Sequence, residues 1–138
     1  MARPSHPCEA MATVLIVDDE PNIVQLVRLT LESARVRVFE APDGATAIDQ
    51  AIAVRPDLVL LDVDLPDVSG LEVCRRLKAE AALAHTKIVM LTAAAQQDDL
   101  ARGFAAGADQ YLTKPFSPVR LLTLVEQLMP AADPCQLA

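Results

Sequence analysis

Tryptophan is absent from the 138 residues, and the other aromatics reach only 3%. Val, Leu, Ile and Ala must therefore build whatever core the 52% hydrophobic content supports. Basic charge is scarce as well. A formal net charge of −7 argues against direct nucleic-acid binding, which needs a basic footprint. No apolar run approaches the ~20 residues of a membrane span. The opening MARPSHPCEA lacks the apolar core of a secretory signal. Cys8, Cys74 and Cys135 are odd in number, widely spaced and without a CxxC, which suits reduced thiols in the cytoplasm rather than a disulfide framework. His6 and Cys8 fall in a stretch without periodicity and read as part of a tail.

What the chain does have is alternation. Residues 13–17 (TVLIV) form a short apolar run that ends in Asp18-Asp19-Glu20, and Pro21 suits the first turn of a helix. Ile23, Val24, Leu26, Val27 and Leu31 give that helix an apolar face. Residues 36–40 alternate like a strand nearer the edge. Asp43 can cap a helix over 44–54 that Arg55-Pro56 stops. Residues 58–61 are an unbroken apolar run leading into Asp62, as in a strand buried on both faces. A helix follows from about Gly70 to Glu80, with Arg75, Arg76, Lys78 and Glu80 assigned to solvent. Residues 87–91 form a fourth strand ending at Thr92, 96–106 an alanine-rich helix closed by Gly107, and 110–113 a short strand ending at Lys114-Pro115. Ser117 caps a last helix with Pro118 at its first position. Its core face is read as Val119, Leu122, Val125, Leu128 and Met129.

Five strand-then-helix repeats predict an α/β fold, a doubly wound five-stranded parallel sheet with five helices. One domain is expected over 13–130, with flexible tails at 1–12 and 131–138. In the flavodoxin-like order 2-1-3-4-5, strands one and three adjoin a crevice at their carboxyl ends. Every candidate reactive residue lies at such an end: Asp18, Asp19, Asp62, Thr92 and Lys114. Three carboxylates in one small space repel each other, and a divalent cation relieves that. All-oxygen donors favour Mg²⁺, with Mn²⁺ as a substitute. Asp62 then reads as a nucleophile for a phosphoryl group, with Lys114 and Thr92 meeting phosphoryl oxygens. Taken singly, each residue also has a structural reading: Asp62 as a strand-end turn residue, Asp19 or Glu20 as a helix cap, Thr92 as a strand terminus, Lys114 in solvent.

The pattern Asp18-Asp19, Asp62 within LLDVDLP, Gly70, Thr92-Ala93 and Tyr111 before Lys114-Pro115-Phe116 resembles the receiver domain of two-component response regulators. The resemblance covers about 13–129 and is close to single-domain chemotaxis-type regulators. It implies that Asp62 accepts a phosphoryl group from a sensor histidine kinase or a histidine phosphotransfer protein. It implies Asp19 as the direct carboxylate ligand of Mg²⁺, Asp18 as its water-mediated helper, and the backbone carbonyl of Asp64 as a further ligand beside Asp62. Thr92, Ala93, Lys114 and Tyr111 become the phosphate-binding and switch residues, and Lys114-Pro115 a cis peptide. Asp64 and Ala94 take the positions that tune dephosphorylation. The usual output and homodimer face is the fourth helix, fifth strand and fifth helix, although Gln110 replaces an Asp common in winged-helix regulators. The expected behaviour is that of a phosphoacceptor with slow self-dephosphorylation, not of a turnover enzyme, either as a single-domain regulator or as a receiver excised from a longer chain. A phosphatase of the haloacid dehalogenase type is the rival, but its DxD follows strand one and it carries a cap domain. An adaptor that never takes a phosphate is the other rival, and the intact acid set argues against it.

Overall fold

A computed structural model describes residues 12–33, 35–93 and 107–128. Five parallel strands, β1 (Ala12–Val17), β2 (Val36–Ala41), β3 (Leu58–Asp62), β4 (Lys87–Ala93) and β5 (Gln110–Lys114), form one sheet in the order β2-β1-β3-β4-β5. Four helices are described: α1 (Pro21–Leu31), α2 (Gly44–Val54), α3 (Gly70–Ala79) and α4 (Pro118–Leu128). The alanine-rich helix expected over 96–106 and both expected tails fall outside the described residues, apart from Ala12, which starts β1.

The unbroken apolar runs are explained by the two faces of the sheet. Successive strand residues point to opposite sides. Leu15, Val17, Val59, Leu61, Ile88 and Met90 enter a core on the side of α2 and α3. Val14, Ile16, Leu58, Leu60, Val89 and Leu91 enter a second core with α1 and α4. Each fully buried Leu or Ile contributes roughly 1.5–3 kcal/mol of burial, so the three central strands anchor both layers at once.

Helix ends follow the local signals. Asp43 accepts a hydrogen bond from Thr46 N at 2.8 Å at the start of α2, and Arg55 ends that helix in a left-handed conformation (φ 50°). Ser117 Oγ accepts from Arg120 N at 3.2 Å. Gly107, with φ 107°, takes a conformation that side chains rarely adopt.

Two helix faces differ from expectation. In α4 the buried residues are Leu121 and Leu124, with Val125 and Leu128 packed beside them, whereas Val119 is 71% and Leu122 41% exposed. The stripe 121-124-125-128 satisfies helical spacing and meets α1; the stripe through 119 and 122 lies about a third of a turn away, on the open side. Lys78, assigned to solvent, instead pairs with Asp109 at 2.8 Å and donates to the Thr86 carbonyl at 3.2 Å. Asp109 also accepts from Ile88 N at 2.8 Å, so this pair ties α3 to the entries of β4 and β5.

Candidate functional site

β3 ends at Asp62, and its neighbours place the remaining groups. Val17 pairs with Leu61 in the sheet, so Asp18, one residue further, stands beside Asp62. Across the other edge, Asp62 pairs with Leu91, which sets Thr92 one step beyond. Ala93 pairs with Lys114, bringing the end of β5 to the same rim. Asp18, Asp62 and Thr92 are all buried, Asp62 only 6% exposed.

The loop after β3 fixes the acceptor carboxylate. Asp64 N donates to Asp62 Oδ1 at 3.2 Å. Asp64 bridges to Ser69, and Gly70 N donates to the Val63 carbonyl at 2.8 Å, closing the loop on itself. A Cβ at Gly70 would lie 2.0 Å from the Asp62 carbonyl oxygen, so no side chain fits there. The loop is also fastened sideways. Asp67 accepts from Gly44 N at 2.8 Å and from Ala45 N at 3.0 Å at the amino end of α2, and these amides hold its carboxyl below the ordinary range.

Lys114 is the centre of the charge arrangement. Its Nζ lies 2.8 Å from Asp18 Oδ2, 3.0 Å from Glu20 Oε1 and 3.4 Å from Asp62 Oδ2. The bond to Glu20 is a directed hydrogen bond. The approach to Asp18 Oδ2 is off the hydrogen-bond direction, so that buried oxygen is met by charge without a directed donor. Asp18 Oδ1, in contrast, accepts from Glu20 N at 2.9 Å.

The Asp62 carboxyl is pushed up to about 6, first by burial and then by the neighbouring Asp18 charge, against the opposing pull of Lys114 and the Asp64 amide. Burial works against the Lys114 ammonium, but the Asp18, Glu20 and Asp62 carboxylates outweigh it and hold its pKa above the ordinary value. The lysine lies nearer Asp18 and Glu20 than Asp62.

Asp18, Glu20 and Asp62 each bring an oxygen within 4.8 Å of the others. A hard cation suits this donor set, which is all oxygen, acidic, and includes a buried Asp18 oxygen with no directed donor. Asp19 is not in that group; it is exposed and, with Asp18, lines an adjoining 390 Å³ cavity between the ends of β1 and β2 and the start of α1. Asp64 is exposed, and its amide faces the site. Tyr111 is half-buried against the core on the α2–α3 side. The Lys114–Pro115 peptide is cis. Ala93 closes β4, and Ala94 lies outside the described residues.

Glu20, Asp67 and Asp109 were not among the expected site and support residues. Glu20 had a signal, the third acid of the DDE run, but a position before a helix reads first as a cap. Asp67 and Asp109 act across 23 and 21 residues of chain, and no local pattern announces such bonds.

The family profile described as "Response regulator receiver domain" matches residues 14–126. The chain is 42% identical over 123 residues to the DNA-binding dual master transcriptional regulator RpaA of Synechocystis, covering 89% of this chain and 51% of that protein. It is 39% identical over 122 residues to the phosphate regulon regulatory protein PhoB of Pseudomonas aeruginosa, covering 88% and 53%. Thus it spans about half the length of these curated relatives. Among solved structures, chemotaxis response regulator CheY4 of Vibrio cholerae superposes with a TM-score of 0.80 at 35% identity, covering 86% of this chain and 99% of that one. The BeF3-activated receiver domain of DrrB, from Thermotoga maritima, gives 0.76 at 36% identity, with coverages of 87% and 98%.

Proposed function

From the chain's membership of the response regulator receiver domain family of two-component systems, we infer that Asp62 is its phosphoacceptor and Lys114 the cation that meets the incoming phosphoryl group. The observation that carries the assignment is the placement of the Asp62 carboxylate. It ends a buried strand, keeps Oδ2 3.4 Å from the Lys114 ammonium, and has its carboxyl pushed up to about 6. The donor is a phosphohistidine on a sensor kinase or phosphotransfer protein. An Asp62 oxygen forms the P–O bond as the P–N bond breaks, and the imidazole leaves with the electron pair.

Asp18, Glu20 and Asp62 fit a divalent cation, and Mg²⁺ is the reading that their oxygens favour, with Mn²⁺ as its substitute. The ion would supply charge neutralisation at the phosphoryl oxygens. Asp19 and the Asp64 carbonyl are the further ligands expected by resemblance. The chain's own residues do the rest. The Asp64 amide orients Asp62, Lys114 balances the added charge, and Thr92, buried one step beyond Asp62, offers a hydroxyl. Asp64 and Ala94 are read as the residues that tune loss of the phosphate. That loss is slow hydrolysis of the acyl phosphate, not catalytic turnover of an external substrate.

Output is assigned to β5 and α4, where Gln110, Tyr111, Arg120 and Gln127 line a 310 Å³ groove and Val119 and Leu122 stand exposed. Homodimerisation through this face and the preceding helix is the family-based reading. No described helix is long and apolar enough to cross a membrane, and we assign the domain to the cytoplasm, where a sensor kinase would reach it.

The test is labelling with acetyl phosphate followed by intact-mass measurement. A gain of one phosphoryl group that requires Mg²⁺ and disappears in Asp62→Asn is expected. Equal labelling of the Asp62→Asn variant refutes the assignment.

A further inference from the structure

Glu20 occupies the N-cap position of α1, yet its side chain makes no capping hydrogen bond. Pro21 at the first helical position removes one of the amides that a cap would serve, while the Glu20 carbonyl accepts from Ile23 N and Val24 N. The carboxylate, 59% exposed, instead reaches across 94 residues of sequence to Lys114 Nζ, whose side chain is only 16% exposed. Asp18 Oδ2 is nearer but off-axis, and Asp62 Oδ2 is 0.4 Å further away than Glu20 Oε1. The directed bond of the lysine is therefore made to Glu20 rather than to the acceptor.

We propose that Glu20 is a counter-latch: it holds Lys114 in the resting site and competes with the phosphoryl group for that ammonium. This rests on the receiver reading of Asp62 and Lys114. When a phosphoryl group arrives, Lys114 exchanges the Glu20 oxygen for a phosphoryl oxygen, and Glu20, already at the surface, is released to the cation or to water at small cost. Asp18 cannot fill this role, because it is buried and bound through Oδ1 to the Glu20 amide. Glu20 is thus a positioning residue acting through Lys114. It favours the unphosphorylated arrangement, and its strength is limited by solvent screening, so the bias is modest and reversible.

Glu20→Gln keeps the shape and removes the charge. Asp49→Asn, on the exposed side of α2, removes one negative charge away from the site and serves as the comparison. The probe is beryllium trifluoride, a phosphoryl mimic, with Mg²⁺ raised for each protein separately until binding no longer depends on it. Glu20→Gln is expected to bind it roughly fivefold more tightly than the parent, the range of a screened ion pair, and Asp49→Asn within twofold of the parent. The second readout needs no phosphoryl mimic: the Lys114 ammonium resonance, assigned by its loss in Lys114→Arg, shifts in Glu20→Gln without Mg²⁺. Unchanged or weaker binding in Glu20→Gln, or an equal gain in Asp49→Asn, overturns the counter-latch. If the parent itself fails to bind beryllium trifluoride, the receiver reading fails instead. In that case a static Lys114 resonance in Glu20→Gln still overturns the contact, and a shifted one upholds it.

Discussion

Removing the Asp62 charge should stabilise the metal-free protein at neutral pH and leave it unchanged in acid. The folded-state pKa is about 6, against an ordinary carboxyl value of 3.8. Below pH ~4 the group is protonated in both folded and unfolded chains, so burial costs nothing. Between pH ~4 and ~6 the unfolded chain ionises first, and folded stability falls as pH rises. Above pH ~6 the loss is complete. A shift of about two units corresponds to about 3 kcal/mol, and about 10 °C in midpoint for a domain of this size. Asp62→Asn, the neutral isostere, lacks this loss. Thermal melts of both proteins in chelator from pH 4 to 7.5 should give similar midpoints at the acid end. The variant should lead by about 10 °C at the other. Subtracting the two curves removes groups of opposite sign such as Asp67, whose lowered pKa makes it stabilising as pH rises. A difference that is constant across the range would refute the reasoning, because it would show that Asp62 ionises in the folded chain as it does in the unfolded one.

Mg²⁺ at ten times its dissociation constant should raise the parent's stability by about 1.4 kcal/mol at pH 7.5 and that of Asp62→Asn by clearly less; equal shifts in calorimetry would remove Asp62 from the cation site. Gly70→Ala places a methyl against the Asp62 carbonyl and should cost about 1–3 kcal/mol in urea unfolding, with acetyl phosphate labelling slowed as the acceptor loop shifts. Leu121→Ala should cost about 2–5 kcal/mol, and Val119→Ala should stay within about 0.5 kcal/mol; comparable losses would contradict the facing of α4.

Much of this molecule was legible because its strongest signals are local. The runs at 58–61 and 88–91 are apolar on both faces, and only the middle of a layered sheet accepts that. Asp62 and Lys114 were found because strand ends share one rim, so sequence position translated directly into proximity. Two things were harder. The facing of α4 is only partly legible: Val125 and Leu128 pack inward as expected, but Val119 and Leu122 fit helical spacing as well as Leu121 and Leu124 do, and which stripe turns inward depends on α1, a partner about 90 residues away. The part played by Glu20 was hidden because the distance from its backbone to Lys114 is a property of the closed sheet, and an acid before a helix has a simpler local reading.

Tyr111 packs with the layer that holds α2 and α3, whereas Phe116, Leu121 and Leu124 belong to the layer that holds α1 against α4. The sheet between them is an insulating wall as much as a scaffold. A substitution such as Leu121→Ala removes contacts from the α1–α4 core alone, and the core on the α2–α3 side keeps its own packing.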